Sequence, residues 1–177
     1  MEGGSVEKSY LNWRQDDAFL NGAQAWPAAL FPRATYHYFR DCGCVVCSLA
    51  VMLRHCGAET ESDEGLFNPW VLNQRLIDCG AFDSAADLNL DCVGRLYALE
   101  YVGKLPCTAD ALAEVAASGA PCLVTVPGQN AEWHFTTLLR MLEGDAELYD
   151  PNVGKAWLSS YDGPSEIRVF RLVEGMG

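Results

Sequence analysis

Positive charge is scarce in this chain: 12 lysines and arginines stand against 24 aspartates and glutamates, a formal net charge of -12 over 177 residues. No run of Lys or Arg reverses that sign locally. Nucleic acids and anionic membrane surfaces are polyanions, so neither is expected as a partner. A peptide or protein substrate, neutral or cationic, suits the charge balance. Long apolar runs are missing too. Nothing approaches the roughly 18 residues of a membrane-spanning helix, so no membrane insertion is expected. Met1-Glu2-Gly3-Gly4-Ser5 lacks the basic-then-apolar pattern of a secretory leader. The expected compartment is therefore the cytoplasm, or the exterior if the chain begins after a removed signal. Repeats and low-complexity tracts are also absent.

With 50% hydrophobic and 20% charged residues, the composition is that of a globular domain able to bury a core. Eight cysteines stand at positions 42, 44, 47, 56, 79, 92, 107 and 122. A chain that can build a core does not need them as staples. Four fall in one expected helix or its entry, where neighbours cross-link with poor geometry, so reduced thiols are expected.

Residues 5–40 are aromatic and irregular, with Tyr10, Trp13, Phe19, Trp26, Phe31, Tyr36, Tyr38 and Phe39 interrupted by Pro27 and Pro32. We read residues 1–40 as an arm wrapping one domain over 41–177. Val46, Leu49, Ala50 and Leu53 recur at helical spacing, which predicts a helix from Cys44 to Cys56, entered through Gly43 and stopped at Gly57. Further helices are expected from Pro69 to Cys79, over 88–99, and from a cap at Thr108 to Gly119. Strands are expected over Pro121–Val126, His134–Met141, Glu147–Asp150, Lys155–Ser160 and Ile167–Val173. Turns at Gly144, Asn152 to Gly154 and Asp162-Gly163-Pro164 would join the later strands into an antiparallel meander. In the second strand, Phe135, Leu139 and Met141 should share one face and His134, Thr136 and Arg140 the other. Helices followed by strands make the class α+β.

A helix N-terminus and an adjacent imidazolium both stabilise a thiolate, lowering a cysteine pKa from about 8.5 to roughly 3.5–7.5. Cys44 is placed for the first effect. His134, opening a strand, could supply the second, and Asp150, ending the next strand, could fix its tautomer.

With these residues in place, the chain resembles the papain-like cysteine peptidases, in particular the double-glycine leader peptidases and their stand-alone relatives. The resemblance rests on Gly43-Cys44, Leu49-Ala50-Val51-Met52-Leu53 with Gly57, His134-Phe135-Thr136-Thr137-Leu138, and Asp150-Pro151-Asn152-Val153-Gly154, and it covers most of residues 40–160. Phe67-Asn68-Pro69 and Leu72-Asn73 add to it. It implies a papain-like α+β fold, N-terminal helices with the nucleophile helix packed on a C-terminal antiparallel sheet, and a Cys44-His134-Asp150 triad forming an acyl-enzyme without cofactor or metal. It also selects Cys44 over Cys42, because helix length from nucleophile to closing glycine fits position 44. In that family a glutamine side chain helps hold the oxyanion. Gln15, followed by Asp16 and Asp17, resembles the stand-alone members' motif; Gln24 is a second candidate. Gly3-Gly4 is similar to a double-glycine cleavage site.

The triad makes a demand on one hairpin. For His134 to lie opposite Asp150, the hairpin must centre on Leu142 with a loop of about five residues. A tight turn at Gly144-Asp145 would instead turn Asp150 to the wrong face. Other readings keep the residues but change the chemistry. One is a catalytically weak or inactive binding protein on the same fold. Another is a metal site from Cys42, Cys44 and Cys47 with His37 or His55, although tetrahedral zinc normally draws on two separated ligand pairs. The third is a Cys44–Cys47 redox dithiol, which lacks its usual βαβ setting.

Overall fold

The structure is a computed structural model that describes residues 9–16, 20, 22–60, 66–128, 133–163 and 165–173. Gly3-Gly4, Asp17, Phe19 and Pro164, named above, lie outside them. Among the described residues there are five α-helices: α1 Phe39–Cys42, α2 Cys44–His55, α3 Pro69–Asp78, α4 Leu90–Tyr97 and α5 Ala109–Ser118. Six strands, β1 Leu99–Pro106, β2 Cys122–Val126, β3 His134–Leu142, β4 Asp145–Asp150, β5 Gly154–Trp157 and β6 Glu166–Leu172, form one antiparallel sheet ordered β1-β6-β2-β3-β4-β5. The class is α+β.

Local chemistry sets the helix starts. The Asn68 side chain accepts from Val71 N at 3.0 Å ahead of Pro69, and Thr108 Oγ1 accepts from Ala111 N at 3.2 Å. Helix α2 is the central buried element. Val46, Leu49 and Leu53 are wholly buried, each contributing about 1.5–3 kcal/mol of apolar transfer. Tyr10, Trp13, Leu20, Trp26 and Phe31 from the N-terminal stretch belong to that same core. A second core, with Leu112 and Val115 of α5, covers the opposite face around Leu138, Leu148 and Ile167. Gly43 serves as a close-approach residue, since its φ of -74° suits any side chain. A Cβ there would stand 2.6 Å from Phe39 O, so only glycine lets α1 abut α2.

The expected meander is corrected. Strand β6 does not follow β5 in the sheet but crosses back to sit between β1 and β2. Its Ile167 and Phe170 are fully buried, one in each core, which an edge position could not provide. Strand β1 was not anticipated. The helix expected over 88–99 ends at Tyr97, where Ala98 turns left-handed (φ 50°) into β1. The strand expected over Lys155–Ser160 becomes β5 followed by a 3₁₀ turn at Leu158–Ser160.

The hairpin expectation is also corrected. Strands β3 and β4 are joined by a tight two-residue loop at Glu143-Gly144, both with positive φ (52° and 86°), between the paired Leu142 and Asp145. Continued regularly, that register would carry Asp150 opposite Thr137, on the face away from His134. A bulge at Leu139 prevents this. Arg140 pairs with Glu147, but beyond the bulge Leu138 pairs with Leu148 and Thr137 with Tyr149, so Asp150 falls opposite Thr136. His134, two residues along, is then its diagonal neighbour on the same face. The bulge likewise moves Met141 off the face of Phe135 and Leu139 and into the α5-side core.

Candidate active site

Helix α2 is locked in register along β3. Ser48 Oγ donates to Phe135 O at 2.8 Å, and Thr137 Oγ1 donates to Ser48 O at 2.6 Å. Ser48 is therefore level with Thr136. One helical turn back is about 6 Å, or about two strand residues, which brings Cys44 level with His134. Both side chains line the same cleft there, and the nearby thiol helps raise the His134 pKa. The ring's Nε2 lies 2.8 Å from Asp150 Oδ1, so the carboxylate engages that nitrogen and not Nδ1. His134 and Asp150 are buried and Cys44 is half-buried.

Three donors converge on the Asp150 carboxylate. Besides His134, Asn152 N donates to Oδ1 at 2.7 Å and the Tyr161 hydroxyl donates to Oδ2. Burial pushes the Asp150 carboxyl up, but the hydrogen bonds from His134 and Tyr161 outweigh it and hold it below the usual range. Burial likewise disfavours the His134 imidazolium, yet the hydrogen bond to Asp150 and the nearby Cys44 thiol prevail and raise it to about 9. Burial, followed by the bond to Asp150, pushes the Tyr161 phenol up. Tyr161 follows an edge strand and a 3₁₀ turn, and no sequence pattern announced it.

Cys42 is differently placed. Its thiol donates to Tyr38 O at 2.9 Å, and burial, then the charges of Cys44 and Asp41, pushes its pKa well up. Gln15 lines the same cleft as Cys44, His134 and Asp150, a cavity of ≈ 940 Å³. Its backbone N donates to Pro151 O at 3.1 Å and its Nε2 to Arg40 O at 2.8 Å, tying the N-terminal stretch to α1 and to the Asp150 turn. Gln24 instead bridges Tyr38 through its backbone and does not line the cleft. Trp133 lines it; Trp157 sits on β5 opposite Glu147.

None of the eight cysteines is in a disulfide. Among the described residues no three metal-ligating groups cluster. His37 is 2.6 Å from Trp26 O, and His55 bonds Leu139 O and the Tyr10 hydroxyl. No helix of the described residues is long and apolar enough to cross a membrane.

The molecule is thus an α+β protein that gathers a thiol, an imidazole and a carboxylate in one cleft. No protein-family model matches the chain, and no curated protein matches its sequence.

Proposed function

We propose that the chain is a papain-like cysteine peptidase or amidase. The observation that carries this reading is the buried His134–Asp150 pair, 2.8 Å apart, with Cys44 lining the same cleft and acting on the imidazole. Cys44 opens helix α2, and His134 is the group that can take and return its proton. In the reaction, the Cys44 sulfur adds to the scissile carbonyl, and His134 passes its proton to the departing amine. Water then attacks the acyl-enzyme, His134 takes a proton from it, and the Cys44 sulfur leaves as the acid is released. Asp150 keeps the ring oriented throughout. The Cys44 backbone N–H and the second Nε2 hydrogen of Gln15 are the candidate oxyanion donors.

A second reading, a peptide-binding protein without turnover, is favoured by one feature. Gln15 already gives an Nε2 hydrogen to Arg40 O, which ties down the oxyanion donor. Timed iodoacetamide labelling with mass spectrometry separates the two. The enzyme reading expects Cys44 to react first of the eight thiols, with at least about tenfold slowing in His134→Ala. Peptide hydrolysis should fall roughly 10³-fold or more in Cys44→Ala and little in Cys42→Ala. Uniform slow alkylation of all the thiols would sink the enzyme reading.

A further inference from the structure

The cleft around Cys44 carries carboxylates beyond the one that holds His134. Asp16, Asp41 and Asp162 are exposed on its lining. The one arginine in that lining, Arg40, is partly spoken for: its Nε lies 3.6 Å from Asp41 Oδ2, and its guanidinium stands 5.3 Å over the Tyr38 ring. Asp150 is matched by His134. Asp16 and Asp162 remain, with no ion pair from either to another described residue. Gln15, only 7% exposed, adds an Oε1 acceptor that finds no hydrogen-bond donor among the described residues. Tyr36 and Trp133, 50% and 37% exposed, give the same cleft aromatic surface. Carboxylates and an orphan acceptor call for a ligand rich in donors and positive charge. Exposed rings suit the alkyl stems and cationic heads of lysine and arginine.

We propose that this cleft selects a basic peptide segment, with lysine or arginine side chains beside the bond at Cys44 held by Asp16 and Asp162. The bond-cutting part rests on the peptidase reading above; the charge selection does not.

The test uses the whole chain and two decapeptide libraries, one of Gly, Ala, Leu, Ser and Lys, the other with Glu replacing Lys. Each is assayed for protection of Cys44 from iodoacetamide and for cleavage by mass spectrometry. The Lys library should protect at about tenfold lower concentration, and raising salt toward about 1 M should erode that preference. Asp16→Asn/Asp162→Asn should reduce the preference to within about twofold. If the double variant misfolds, the salt series on the unaltered protein decides. Equal protection by both libraries overturns the proposal, as does a preference that survives the double substitution. Charge-selective protection without cleavage sinks the peptidase reading alone; cleavage indifferent to charge sinks the charge selection alone.

Discussion

The two ends of the β3–β4 hairpin obey different rules. At the turn, Glu143 and Gly144 close a tight loop, and backbone conformation alone sets the pairing of Leu142 with Asp145. At the far end, His134 and Asp150 must share a face, and the pairing there is one residue out of step with the turn. The Leu139 bulge reconciles them. A bulge therefore lets turn chemistry and site chemistry be satisfied independently, where a regular ladder would force a choice.

This account is broken most severely by an insertion. One alanine added between Leu138 and Leu139, with a single bulge kept, carries Asp150 opposite Thr137, away from His134. We expect kcat/KM and the selective labelling of Cys44 to fall roughly 10²–10⁴-fold, as when the orienting acid of a triad is lost. Deleting Leu139 gives the converse. The ladder heals, Asp150 stays opposite Thr136, and activity should persist within a few-fold even as lost packing lowers stability. Circular dichroism and urea unfolding separate loss of fold from loss of register. Activity lost in the deletion and kept in the insertion would refute the parity account.

The site end should also carry a pH signature that the turn end lacks. His134 rises from its ordinary 6.5 to about 9, so its stabilisation is complete below 6.5 and is lost as pH climbs through 9. Asp150 is lowered from 3.8, so its stabilisation is present above that value and is lost as pH falls through the depressed one. Asp150→Asn should therefore cost on the order of 2–3 kcal/mol between about pH 5 and 7, and less beyond either edge. Urea unfolding of both proteins across pH measures it. A penalty independent of pH would mean the pair is not ionic. Tyr161→Phe removes a donor to the carboxylate, so the acid edge should move up.

The readable parts of the chain were those with local signals. The α2 stripe of Val46, Leu49 and Leu53, the proline start of α3 at Pro69, the Thr108 cap and the strand opening at His134 each announce themselves within a few residues. That Asp150 could serve His134, 16 residues earlier, was visible too, but not the route by which the two meet. A bulge has no composition of its own; Leu139 looks like any strand leucine. The place of β6 depends on where Phe170 finds its partners, such as Tyr101 on the neighbouring strand, 69 positions earlier. β1 is an edge strand with Gly103 in it and mostly exposed side chains, so its periodicity is faint. Tyr161 gains its role only because the chain after β5 turns back toward Asp150.

The smallest expected effect lies at the turn. Glu143 sits at φ 52°, a left-handed conformation that disfavours a side chain of this kind, whereas an Asn-Gly pair suits such a loop. Glu143→Asn should stabilise the protein by about 0.5–1 kcal/mol in urea unfolding. It should leave Cys44 labelling and peptide hydrolysis unchanged. The residue belongs to neither cleft nor core, and the bulge stands between it and the site. A change in kcat/KM without a matching change in stability would mean strain at the turn reaches Asp150 through the ladder. The bulge would then be transmitting register between the two ends, where the structure has it absorbing the mismatch.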